Sequence, residues 1–211
     1  MIVSSNPEAL SPISALKRFA RPKEPKHFCE LCSAAIPATH RHLLELASRK
    51  AICACEPCAL RFEGVEGGRF KLIPRDSRAL ADFKMSDGDW EGLALPINLA
   101  FFYRASGDKK IRAMYPSPAG ATESLLPLEC WAALEAQNPM LRKLESDVEA
   151  LLAYRVGAAR EYYVVPMDVC YELAGLIRSH WRGLSGGETV WKQIGRFFVE
   201  LKQRSLQESY A

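Results

Sequence analysis

The chain has 211 residues, of which 48% are hydrophobic and 25% charged, with a formal net charge of +3. These are the proportions of an ordinary globular protein; they exclude a largely disordered chain, and the small charge gives no ground for a nucleic-acid partner. No apolar run reaches the roughly 18 residues a membrane helix needs, and "MIVSSNPEALSPISALKRFARPKEPK" lacks the basic-then-apolar order of a secretory signal, so a cytoplasmic location is expected.

Residues 1–26 set Lys17, Arg18, Arg21, Lys23 and Lys26 against Glu8 and Glu24. Pro7, Pro12, Pro22 and Pro25 discourage regular structure, so this segment reads as a flexible basic tail. Residues 27–62 form a cysteine module. In "CELCSAAIPATHRHLLELASRKAICACEPC", Cys29 and Cys32 make one CxxC and Cys55 and Cys58 another. Two residues between thiolates let a tight turn aim both sulfurs at one ion, and two such turns complete a tetrahedral set for Zn2+. In a reducing compartment this spacing favours metal ligation over disulfides. Pro57 inside the second turn suits a rigid knuckle better than a redox pair. The expected ligands are therefore Cys29, Cys32, Cys55 and Cys58, with zinc as the cofactor and an iron-sulfur cluster as the alternative.

Cys53 exceeds the four thiolates a closed site needs. It reads as a buried thiol behind the ligands, or as an extra ligand that makes the site labile. His40 and His42 stand at i and i+2, a spacing that converges on one side of a strand and diverges on a helix. "HLLEL" reads as helical, which leaves one histidine to cap or pack; the two as extra metal ligands are the alternative.

Residues 63–211 read as an α+β domain, an antiparallel sheet covered by helices. "GRFKLIP", "LALPINLAFFYRA" and "KKIRAMYP" have the pattern of strands, with "SGDKK" as a hairpin turn. "PLECWAALEAQ" predicts a helix with Pro127 in its first turn. "VEALLAYRV" and "EYYVVP" predict two further strands joined across "GAAR". "MDVCYELAGLIRSHW" and "ETVWKQIGRFFVELKQRSL" repeat apolar residues at helical spacing, with Asp168 placed to cap the first of them; together these helices are expected to cover one sheet face. An arginine inside "LLAYRV" requires a carboxylate partner if buried; Asp147, Glu149, Glu161 and Asp168 are the candidates.

Two further segments carry polar chemistry. "YPSPAGATES" reads as a binding loop or as a crossover whose Thr122 and Glu123 enter the next helix. "RGLSGG" reads as a helix-breaking turn or an anion site. Emerging at one end of the sheet, Ser117, Gly120, Thr122, Glu123, Arg178, Arg182, Gly186 and Gly187 would line a mixed-charge cleft for a partner or a small anion. No Ser-His-Asp order, HExxH motif or pair of acids defines a catalytic centre, so no catalytic residue is assigned.

Taken together, "CELC", "HRHLLEL", "CACEPCALRF", "YPSPAGATES", "DVEALLAYR", "VPMDVCYELAGLIRSHWRGLSGG" and "VWKQIGRFF" resemble an uncharacterised bacterial family, a domain of unknown function encoded in gene clusters with NiFe-hydrogenases and their accessory proteins. The resemblance spans residues 27 to about 201. It implies a role in hydrogenase assembly or maturation, with hydrogenase subunits or maturation factors as partners, and carries over no catalytic residue. The leading reading is a non-enzymatic metal-binding accessory protein acting through protein contacts. The competing classes are an iron-sulfur or labile-metal redox protein and a zinc-ribbon nucleic-acid binder. The latter needs a basic face, whereas Arg41, Arg49, Lys50 and Arg61 are interspersed with Glu30, Glu45, Glu56 and Glu63.

Overall fold

The structure, a computed structural model, describes residues 27–65, 67–124, 130–183 and 186–208. The basic tail, Pro127, and Leu184 and Ser185 of "RGLSGG" lie outside the described residues. The N-terminal portion begins with the short antiparallel strands β1 (His27–Phe28) and β2 (Ala35–Ile36), which pair across the first CxxC turn. β3 (Arg41–Glu45) and β4 (Lys50–Ala54) follow as a hairpin, and the five-residue helix α1 (Glu56–Leu60) carries the second CxxC. β5 (Phe70–Leu72), the strand of "GRFKLIP", adds to the free edge of β3, so the three-stranded sheet continues past residue 62.

The helix expected at "HLLEL" is instead strand β3. Leu43 packs with Ile52, Ala54 and Ala59 on one side of the hairpin, and Leu44 with Ile73 and Val148 on the other. Both leucines are fully buried because both faces of the strand are covered, and an adjacent apolar pair in such a strand mimics the apolar clustering of a helix.

The main sheet is built from β6 (Arg78–Leu80), β7 (Leu99–Arg104), β8 (Ile111–Ser117), β9 (Gly120–Glu123), β10 (Glu149–Tyr154), β11 (Glu161–Pro166) and β12 (Leu206–Glu208). Their spatial order is β12-β6-β11-β10-β7-β8-β9. All neighbours run antiparallel except β12, which lies parallel to β6. The β7–β8 hairpin turns at "SGDKK" and the β10–β11 hairpin across "GAAR", as expected. "YPSPAGATES" is neither a crossover nor a helix start: it is the β8–β9 hairpin, with Thr122 and Glu123 in β9.

Helices cover both faces of this sheet rather than one. On the first, Phe101, Leu152 and Tyr163 meet Leu173 and Ile177 of α4 (Met167–His180) and Ile194 and Phe198 of α5 (Gly187–Arg204). On the second, Phe102, Leu151 and Val164 meet Trp90 of α2 (Asp87–Gly92), Trp131 and Leu134 of α3 (Trp131–Gln137), and Leu141 of a 3-10 turn at Pro139–Lys143. Two covered faces explain why "LAFFY" and "ALLA" are continuous apolar runs without alternation. The second layer is hard to read in sequence because its elements are short; α2 is held by a Ser86–Asp89 capping box more than by periodicity.

Arg155 is 3% exposed and does have a carboxylate partner, but it is Asp87 at the start of α2, outside the four expected candidates. The Tyr162 hydroxyl and the Met85 carbonyl complete its hydrogen bonds. Asp168 is not the N-cap residue, which is Pro166; from inside the first turn of α4 its Oδ1 accepts from Val169 N–H at 2.9 Å, so it does meet one of the helix's free N–H groups.

A seam joins the cysteine-bearing sheet to the main one. Arg49 donates to Asp147 Oδ1 at 2.7 Å and lies 4.3 Å over the Tyr103 ring, while Asp147, 4% exposed in its side chain, also accepts from Ser106 N at 3.2 Å. Lys71 pairs with Glu145 at 3.2 Å, and Leu44 and Val148 pack in one apolar cluster of the same seam.

Gly186, just before α5, holds φ +86°, and a Cβ there would stand 2.8 Å from Val190 Cγ1 and 3.1 Å from the Trp181 ring. Gly186→Ala is therefore expected to destabilise the protein by about 1–3 kcal/mol, read as a lower urea midpoint at unchanged slope.

Candidate metal centre

The first knuckle is a tight turn closed by Ser33 N–H donating to Cys29 O at 2.8 Å and Cys29 N–H donating to Ala34 O at 2.8 Å. Ser33 adopts φ +60°, which turns the chain sharply back toward β2. The second knuckle begins with Cys55 in extended conformation at the cap of α1. Pro57 occupies the first turn of that helix, where its missing N–H costs nothing, and Cys58 follows within the same turn. Glu30 couples the two. Its N–H donates to Cys53 O at 2.8 Å, and its carboxylate accepts from Cys53 N at 2.9 Å and Lys50 Nζ at 2.7 Å. The Lys50 hydrogen bond, followed by that of Cys53 N–H, holds the Glu30 carboxyl below its usual range.

These constraints bring Cys29, Cys32, Cys55 and Cys58 together with all four sulfurs within 4.8 Å of one another. The Cys32 and Cys55 sulfurs are 3.6 Å apart. Four thiolates at about 2.3 Å from a single tetrahedral ion stand roughly 3.8 Å from each other, so the cluster has the dimensions of a one-ion site. Cys29 is buried and Cys32 exposed, which puts the centre just under the surface.

The electrostatics point the same way. Burial raises the Cys29 thiol, but the backbone N–H groups of Cys55, Cys32 and Leu31 outweigh it and bring it down to about 6. At the other extreme, hydrogen bonding to the Cys55 and Cys32 sulfurs, with burial, pushes Cys58 up to about 12. The pocket accepts one negative sulfur readily and resists further ones, a conflict that a bound cation removes.

Cys53 is not part of this cluster. β4 ends at Ala54 and Cys55 turns into α1, so the same-face relation of Cys53 and Cys55 is broken at the strand end. Cys53 instead stands opposite His42 in the β3–β4 register and forms a second group with His42 and His40. Since "HLLEL" is a strand, the i, i+2 histidines converge: their ring centroids are 4.7 Å apart, and His27 from β1 approaches His40 at 5.3 Å. Asp168, expected as a helix cap, bonds His42 Nδ1 through Oδ2 at 2.7 Å. No local sequence signal links residues 42 and 168; only the covered rear face of "HRHLLEL" hints that something packs there.

Ser117, Thr122, Glu123 and Arg182 of the expected mixed-charge cleft are each bonded to nearby parts of the chain. Ser117 Oγ and Thr122 Oγ1 share a hydrogen bond of 2.8 Å, and Glu123 pairs with Arg112 at 2.7 Å. Arg182 donates to Trp181 O at 2.8 Å and bridges by backbone to Gly186. Gly120 opens β9, Gly187 opens α5, and Arg178 lies in the last turn of α4. α4 packs on β8 and β9.

Among the described residues no helix is long and apolar enough to cross a membrane. No curated protein and no solved structure matches the chain significantly. Residues 28–205 match the family described as "Family of unknown function (DUF5947)", and the chain belongs to that family.

Since each thiol must lose its proton to ligate, acidification is expected to release the metal and neutral pH to retain it, as followed with a colorimetric zinc chelator. Metal held undiminished down to pH 4 would contradict a thiolate site.

Proposed function

We propose that this family member is a metal-binding accessory protein in which Cys29, Cys32, Cys55 and Cys58 hold one structural zinc ion, and which acts by contacting a protein partner. The observation that carries the metal reading is the 3.6 Å between the Cys32 and Cys55 sulfurs, a tetrathiolate edge around a single ion. Four protein thiolates fill a zinc ion's coordination sphere. Such an ion binds no substrate and contributes folding energy to a module whose own apolar core is small.

The surroundings favour a protein partner over a nucleic acid. Most basic residues of the module are paired with acids, Arg41 with Glu56, Arg49 with Asp147 and Lys50 with Glu30, as is Arg69 with Glu45 just beyond it, which interrupts any cationic stripe along them. The setting we propose, assembly or maturation of a NiFe-hydrogenase, rests on the motif resemblance alone. For the contact surface we propose the sheet end where the β8–β9 turn and the C-terminal end of α4 emerge. α4 follows β11 directly and packs on β8 and β9, a direction that supports this choice.

Elemental analysis of the purified protein is expected to give one zinc per chain and no visible absorption; stoichiometric iron with a coloured spectrum would overturn the zinc assignment. Cys32→Ser should release the metal and abolish amide-exchange protection in residues 27–62, while β7, β10 and β11 stay protected. Affinity capture from a host that encodes the protein tests the partner, with Arg182→Ala expected to weaken capture without lowering thermal stability. Capture that recovers no hydrogenase subunit or maturation factor overturns the proposed setting and leaves the metal reading standing.

A further inference from the structure

We propose that His40, His42 and Cys53 form a second metal site, binding a divalent transition-metal ion through two Nε2 atoms and one thiolate, with a fourth position open to the adjacent cleft. The three side chains each offer a ligand atom within 4.8 Å of the other two. They project from one face of the β3–β4 hairpin, where His42 and Cys53 are register partners and His40 lies two residues before His42. Ligand atoms of a tetrahedral ion with nitrogen and sulfur donors stand roughly 3.5 Å apart, a separation that three side chains already within 4.8 Å reach by side-chain adjustment.

The hydrogen bonds already fix both imidazoles in the form a metal needs. His40 Nδ1 lies 2.9 Å from the Pro37 carbonyl oxygen, which can only accept, so Nδ1 carries the proton and the Nε2 lone pair is free. That Nε2 is buried and meets no hydrogen-bond partner. A buried lone pair without a donor is an unfilled demand, and a metal ion in the midst of this group would meet it. His42 Nδ1 faces Asp168 Oδ2 at 2.7 Å, the carboxylate–histidine arrangement that orients a metal-ligating ring. Each imidazole thus has an outer partner on one nitrogen and a free lone pair on the other.

The surroundings distinguish this group from the tetrathiolate. His40, His42 and Asp168 line a cleft of about 620 Å³ between the cysteine module and the start of α4. Arg75 and Arg204 stand on the same cleft, each paired with a glutamate: Arg75 with Glu56 at 3.0 Å and Arg204 with Glu172 at 3.4 Å. Three protein ligands beside a solvent-filled space describe an open site, whose fourth ligand is water or a small anion. Two imidazoles and one thiolate suit zinc and cobalt over magnesium or calcium. The inference does not depend on which ion the four cysteines hold.

The test titrates the full-length protein, adjusted to one zinc per chain, with Co2+, following visible absorption and released zinc. The expected result is one further equivalent of cobalt without loss of zinc, with thiolate-to-cobalt charge transfer and d–d bands that shift when azide is added. Cys53→Ser, close in shape to the native residue, should remove the charge-transfer band, and His40→Ala should abolish the second equivalent, both variants retaining their one zinc. Asp168→Asn should weaken cobalt binding about 10–100-fold, the effect of a positioning partner. His180→Ala, at the far end of α4, should change nothing. Cobalt that displaces zinc stoichiometrically with the same spectrum in Cys53→Ser belongs to the tetrathiolate and overturns the second site, as does the absence of a second equivalent. Loss of zinc alone, with cobalt still bound to His40, His42 and Cys53, would count against the tetrathiolate reading and not against this one.

Discussion

The pleat of the β3–β4 hairpin is the constraint on which the rest of the N-terminal half depends. Side chains of a strand alternate between faces, so Leu43, Ile52 and Ala54 build a small core under α1, while His42, Leu44 and Cys53 face the main domain. A slip of one residue would exchange these sets, driving the histidine and the thiol into the small core and exposing the leucine that meets Val148. The register is pinned from outside the hairpin by Glu30, which clasps both backbone groups of Cys53, and by Arg49, which reaches across to Asp147. The four-cysteine cluster, seam and histidine cluster are thus set by the same five pairs of residues.

Much of this was legible in the sequence where spacing alone carries the information. CxxC spacing is a geometric statement about one turn of chain, and Cys29, Cys32, Cys55 and Cys58 do converge. The hairpins at "SGDKK" and "GAAR" and the two long helices were equally readable, because each is a local pattern of apolar period and turn chemistry. What failed was whatever depends on the layer opposite. "HLLEL" looked helical because a strand buried on both sides loses its alternation. The covering of both sheet faces rather than one escapes the sequence because α2 is too short to show an amphipathic period, and α3, the helix expected over "PLECWAALEAQ", carries no local signal of which face it covers. The partners of Arg155 and of Asp168, namely Asp87 and His42, come from distant segments, and no rule of local spacing links them.

The misreading of one short strand had the largest functional cost. With "HLLEL" as a helix, His40 and His42 diverge and only one can act with the cysteines; as a strand they stand with rings 4.7 Å apart beside Cys53. An acid at a helix start predicts a cap, and Asp168 Oδ1 does accept from Val169 N–H, from inside the first turn. The other oxygen of Asp168, Oδ2, faces His42 Nδ1 at 2.7 Å, so one carboxylate ties the start of α4 to the histidine pair.

The parallel pairing of β12 with β6 gives the fold a temporal order. Leu206, Gln207 and Glu208 lie beside Arg78, Ala79 and Leu80, so one sheet edge is completed by residues made long after its neighbour. While the chain is being synthesised, β6 can pair with β11 once that strand has emerged, but its other side keeps bare N–H and C=O groups until residues 206–208 leave the ribosome. Three residues make a poor template for strand addition, and the next segment along, "ADFKMSDGDW", leads into the Ser86 cap of α2 instead of prolonging the edge. The brevity of β6 is thus itself protective: the stretch left waiting during synthesis is too short to recruit a second nascent chain.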